Sequence, residues 1–154
     1  MLKLAWDNSV GAARIQKDQL GALALDYSLE TQVVLSLFTH VEANPEEIAS
    51  AKLEQQLGWW GEAASVRDQD RPRMGSKLWL LSRGKTTLET LRRAEVYARD
   101  SLLWMVDAGI AASVTVLATR PRTGVIGLDV TIQKPSTLLP AFRRLWEFPT
   151  NAVL

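Results

Sequence analysis

The residues closest to a known chemistry are Ser82-Arg83-Gly84-Lys85-Thr86-Thr87, which end as a phosphate-binding loop ends: Gly-Lys-Thr, after an apolar run and before a helical pattern. That chemistry needs an earlier glycine, so that backbone amides can wrap the phosphates. The position where it should stand, four residues before Arg83, is Trp79, and Gly75 lies four residues further upstream. A Trp side chain blocks the close approach, and the parallel strands of a nucleotide-binding fold are missing. The plainer reading is that Gly84 ends one element and Thr86 caps the next.

Paired carboxylates are the second chemistry to weigh. Glu62, Asp68 and Asp70 flank a tryptophan motif and could be imagined as glycosidase acids. Nothing near them raises one pKa or fixes their separation, so a solvated, charged loop explains them better. His40 is the only histidine and there is no cysteine. No metal site, no thiol nucleophile and no Ser-His-Asp arrangement is supported, and no cofactor is expected. Arg71, Arg73, Arg92, Arg93, Arg120, Arg122, Arg143 and Arg144 are scattered, and a nucleic-acid surface would need them to converge.

The bulk properties agree. The chain has 154 residues, 47% hydrophobic and 23% charged, with a net charge of +1. This is enough for one domain with a substantial core, and no global field favours nucleic acid or an anionic membrane. No apolar run approaches membrane-spanning length, and the Met1 end does not read as a signal peptide. The absence of cysteine fits a reducing cytoplasm.

The elements that would position these residues can be read from periodicity. Leu2, Leu4 and Trp6 alternate with polar or small neighbours as in a strand, followed by a turn at Asp7-Asn8-Ser9 with Gly11. Short strands are predicted over 13–17 and 22–25. Val33, Val34, Leu37, Phe38 and Val41 share one helical face, with Ser28 as N-cap. Asn44-Pro45-Glu46-Glu47 starts a second helix, with an apolar stripe of Ala49, Leu53 and Leu57 and a stop at Gly58. A polar loop follows to Met74.

The strongest helix begins at Thr86, with Glu89 at capping-box spacing, and runs through Leu88, Leu91, Ala94, Ala98, Leu102 and Met105 to Gly109. Val114, Val116 and Ala118, a turn at 120–124, and Ile126, Leu128, Val130 and Ile132 make a hairpin. Leu138, Phe142, Leu145 and Trp146 predict an amphipathic helix in the tail 136–154. The fold class is α+β: a single domain over 1–154, with helices on a small, mostly antiparallel sheet.

The oddest stretch is Gly58-Trp59-Trp60-Gly61 together with Trp79. Adjacent tryptophans between glycines suggest a loop folded onto a core, or an aromatic anchor for another protein. With no active site visible, these features describe an interaction module.

Several blocks resemble the small baseplate wedge protein of Mu-type contractile phages and prophages. They are Leu29-Glu30-Thr31-Gln32-Val33-Val34-Leu35-Ser36-Leu37-Phe38-Thr39, Gly58-Trp59-Trp60-Gly61, Gly75-Ser76-Lys77-Leu78-Trp79-Leu80-Leu81 and Arg93-Ala94-Glu95-Val96-Tyr97-Ala98. That family is similar to the T-even wedge subunit sometimes called lysozyme-like and to sheath initiators of other contractile injection machines. The resemblance implies a structural, non-enzymatic protein of the tail particle, assembled in the bacterial cytoplasm and present in several copies, six by family symmetry. It implies contacts with larger wedge subunits, sheath protein and tube or hub proteins, and none with nucleic acid or membrane. Strand addition to an open sheet edge would join the sheath. The expected contact residues are Trp59, Trp60, Trp79, Arg71 and Arg73, with Ile126, Leu128, Val130 and Ile132 forming the edge. The alternative class is a small enzyme, a peptidoglycan hydrolase or a nucleotide-binding protein.

Overall fold

In the computed structural model the described residues are 2–25, 29–53, 74–135 and 140–150. A first hairpin pairs β1 (Leu4–Asp7) with β2 (Ala12–Ile15), Leu4 opposite Ile15 and Asp7 opposite Ala12. The strand expected over 22–25 appears only as two isolated bridges, Leu2 to Leu25 and Lys17 to Leu23. Gly11 takes a positive φ of 63° in the hairpin turn, and a Cβ there would strike the Pro149 ring. The turn therefore needs glycine for both its conformation and its close approach to Pro149.

Helix α1 (Leu29–Phe38) buries Val33, Val34 and Leu37 of the apolar face read from the sequence, together with Thr31 and Ser36, while Phe38 is half-buried and Val41 lies beyond the helix. Its expected cap, Ser28, lies outside the described residues. Helix α2 (Pro45–Ser50) starts as predicted, with Pro45 in the first turn and the Glu47 carboxylate accepting the Asn44 amide at 2.9 Å. It is shorter than its stripe implied. Lys52 has φ 55°, which breaks the helix before Leu53, and Leu57 and Gly58 lie outside the described residues.

A 3-10 helix η1 (Leu78–Leu81) leads to α3 (Leu88–Leu102) and a short α4 (Trp104–Asp107). The cap of α3 is Thr87, not Thr86: the Thr87 hydroxyl accepts the Thr90 amide at 3.2 Å. Glu89 pairs instead with Arg93, one turn on, at 2.6 Å. Gly109, φ 69°, lies just past α4.

The main sheet is antiparallel, in the order β3 (Ser113–Arg122), β4 (Val125–Gln133), β5 (Pro140–Pro149). Here the structure corrects the sequence reading of the tail. Over its described part, the predicted helix of 136–154 is strand β5, pairing along β4 from Val125–Pro149 to Gln133–Pro140. The reason is tertiary. β4 has a second ladder to satisfy, and a ten-residue strand bracketed by prolines satisfies it while placing Trp146 opposite Leu128 and Phe148 opposite Ile126 on the core face.

The core lies between this sheet face and α1, η1, α3 and α4. Val33, Leu37, Ala94, Ala98, Leu102, Met105, Ile126, Leu128, Val130, Ile132 and Trp146 are essentially inaccessible to solvent. Small residues on α3 let it lie close against β3. A second, smaller cluster unites Ala43, Ile48, Trp79 and Leu80, with Tyr97 packed against both.

Candidate interface

The hairpin expected to offer an edge does form, but β4 is its inner member, with a partner on each side. Ile126, Leu128, Val130 and Ile132 are all 0% exposed. They build the core and touch no surface, which corrects their assignment as edge residues. Among the described residues the sheet's edges belong to β3 and β5.

Their phase follows from the ladder, because alternate residues of an edge strand turn N–H and C=O away from the sheet. On β5, Glu147 does so: its carbonyl accepts the Trp6 indole N–H at 2.8 Å and its amide donates to Asn8 Oδ1 at 3.0 Å. The first hairpin thus plugs that end of β5. On β3, the Ala118 amide points away from the sheet and donates to Glu95 Oε1 of α3 at 2.9 Å, while its side chain stays in the core. Val114 and Val116 share its phase, and among the described residues no hydrogen bond reaches their outward groups. Ser113–Leu117 carries no charge, whereas the far half of β3 is guarded by Arg120-Pro121-Arg122. Leu117, 56% exposed, stands on the solvent face of this uncharged half.

Trp79 is not a surface anchor. It is 6% exposed, its indole N–H donates to the Val41 carbonyl at 2.9 Å, and it tilts against His40 at 5.9 Å. Trp59, Trp60, Arg71 and Arg73 lie outside the described residues, as do Glu62, Asp68 and Asp70. The sequence reading missed Trp6 as a clamp: it stacks on Phe38 and reaches β5. Its only signal was a Trp in a strand pattern beside the Asn8 turn.

The phosphate-loop resemblance does not survive in three dimensions. A 3-10 helix precedes the motif instead of a strand, and the Gly84, Thr87 and Thr90 amides are taken by Leu81 O, Lys85 O and Thr87 Oγ1. Among the described residues no group of three or more His, Asp or Glu could hold a metal. The titrating groups are structural. Lys77 bonds both Glu47 carboxylate oxygens at 2.8 Å and holds that carboxyl below its usual range. Burial pushes the His40 imidazole below its usual pKa, favouring the neutral ring. Asp129 holds the Arg143 guanidinium in its charged form across the outer sheet face.

A family profile described as phage protein GP46 matches residues 29–138. The Mu-like prophage FluMu protein gp46 of Haemophilus influenzae is 36% identical over 147 residues, covering 94% of this chain and 96% of the relative. Baseplate protein gp46 of Escherichia phage Mu is 37% identical over 134 residues, 87% of each chain. The matched span contains both helices of the expected blocks and the whole β3–β4 hairpin, and on these grounds the chain belongs to the GP46 family of phage proteins.

Proposed function

We propose that this chain is a structural protein of a contractile tail baseplate, an inner wedge subunit that initiates the sheath. It binds larger wedge subunits near the tube or hub and receives a strand from the first sheath ring. It works in several copies, six around the tail axis, assembles in the host cytoplasm, resides in the tail particle and catalyses no reaction. The baseplate role is supported by the Mu relative's name.

The observation that carries the strand-addition reading is the uncharged half of β3, Ser113–Leu117, with the outward backbone groups of Val114 and Val116. An incoming strand would bond there, and identical contacts repeated around a ring would add up through multivalency. The opposite edge is a poorer candidate, since Trp6 and Asn8 occupy it at Glu147.

The test is Val116→Pro. The Val116 amide faces outward, so proline removes an edge donor and spares the β3–β4 ladder. Tagged protein would be co-expressed with the wedge and sheath subunits of its own tail gene cluster and purified. Wild type should recover both partners, and a folded variant should keep the wedge subunit and lose the sheath. Sheath recovery undiminished in the variant would remove this edge from the reading, and no tail protein recovered by wild type would sink the baseplate assignment.

A further inference from the structure

Between α2, η1 and the first turns of α3 lies an open cavity of about 590 Å³. Its floor is apolar, with Leu80 and Leu81 each 5% exposed and the Tyr97 ring beside them. Its walls hold two acids, and both are engaged: Glu47 with Lys77 at 2.8 Å and Glu89 with Arg93 at 2.6 Å. Lys52, Arg83 and Lys85 also line it, all exposed, and among the described residues no carboxylate lies within ion-pairing distance of any of them. Among the described residues the cavity therefore carries three cations with no carboxylate partner around an apolar floor, in a chain whose net charge is only +1.

We infer that this cleft is a docking site for an acidic segment of another protein, with one apolar side chain on Leu80, Leu81 and Tyr97 and flanking carboxylates on Lys52, Arg83 and Lys85. The commitment to a peptide follows from how the cleft is made. A phosphate site needs a continuous run of free amides converging on one point, and here the run is interrupted, because the Gly84, Thr87 and Thr90 amides bond internally. The cleft's distinguishing feature is long, flexible cations spread along a rim beside an apolar floor, which suits carboxylates spaced along an extended chain. The volume falls within the range of sites that take small ligands, enough for a few side chains. Charge complementarity of this kind guides approach and register, and the buried apolar side chain holds the complex. The inference uses a different face of the protein from the β3 edge and stands whether or not sheath binds there.

The probe is a fluorescein-labelled peptide of repeating Glu-Leu-Asp, followed by fluorescence anisotropy with the full chain. Wild type should bind it, more weakly as salt is raised. The double variant Arg83→Glu, Lys85→Glu should weaken binding about tenfold or more. Arg92→Glu, an exposed α3 charge outside the cavity, should leave it unchanged. A peptide of glutamates alone should bind less well than the probe. No binding by wild type overturns the inference, as does an equal loss in the cleft variant and in Arg92→Glu. Displacement of the peptide by an equal concentration of pyrophosphate would reassign the cleft to phosphates. Circular dichroism melts confirm that each variant is folded before its binding is scored.

Discussion

Trp6 lies flat on Phe38, ring centroids 3.5 Å apart and planes 15° from parallel, joining the first strand to the end of α1. Phe38 in turn meets Phe148 edge-on at 6.1 Å, so three aromatic rings connect the first hairpin, a helix and the last strand. Trp6→Ala removes the stack, its packing and the bond to Glu147, and should cost about 3 kcal/mol. Trp6→Phe keeps a ring and loses only the indole donor, for about 1 kcal/mol. Urea unfolding of the two variants checks the difference, and equal losses would show that the indole bond and not the stack dominates.

The position of β4 gives a sharper contrast. Leu128 is fully buried on the central strand, whereas Leu117 stands exposed on β3. Leu128→Ala should destabilise by about 3–4 kcal/mol. Leu117→Ala should change stability by no more than about 0.5 kcal/mol. Chemical denaturation measures both, and a cheap Leu128 substitution would contradict the strand order.

Gly75 has φ 121°, and a Cβ on it would stand 2.5 Å from the Thr39 carbonyl oxygen. The residue sits where the chain before η1 pairs with the segment after α1, at the His40–Ser76 bridge. Gly75→Ala is therefore strained by both conformation and contact, and should lower stability by about 2–3 kcal/mol. A thermal melt is sufficient to check this; a variant as stable as wild type would show that the two segments can separate freely.

The Glu47–Lys77 pair makes stability depend on pH in a defined direction. The folded state holds the Glu47 carboxyl below its ordinary pKa, first through the hydrogen bond from Lys77. The contribution is therefore complete above the ordinary glutamate pKa and is lost as pH falls through the lowered value. Both side chains are about 30% exposed, so the pair contributes about 0.5–1 kcal/mol. Urea midpoints at pH 7 and pH ~3 should fall further for wild type than for Glu47→Gln, which can still accept the Asn44 amide. Equal falls would assign the acid sensitivity to other carboxylates.

Much of this fold was legible in the chain because local pattern and tertiary outcome agree. The alternation at Val114, Val116, Ile126, Leu128, Val130 and Ile132 gave the hairpin, and Ala94, Ala98 and Leu102 gave the inner face of α3. The tail was misread because its residues satisfy two periods. Leu138, Phe142, Leu145 and Trp146 fit a helix, while Trp146 and Phe148 also fit the alternation of a strand. Only β4's unfilled ladder decides between them, and that is not local information. The same gap explains the misplaced edge: Ile126 to Ile132 look like a one-faced strand, but whether such a strand is central depends on what pairs beyond it. Trp79 was recognisable as a large ring whose N–H needs an acceptor, yet that acceptor, the Val41 carbonyl, is 38 residues away. The basic cleft was hidden for a similar reason, since Lys52 and the 83–85 turn meet only after α2 and α3 are packed.

The bond from Trp6 to Glu147 spans 141 positions of the chain. During synthesis β1 therefore leaves the ribosome well before the strand that clamps it. Phe38 can receive Trp6 long before the β5 carbonyl is made. Until β5 is made, the hairpin of β1 and β2 lacks this bond and is held by α1. A nascent chain arrested before Pro140 is expected to be cut readily by protease near β2, and the released full-length protein to resist. The clamp thus closes β1 only on a chain that already has β5.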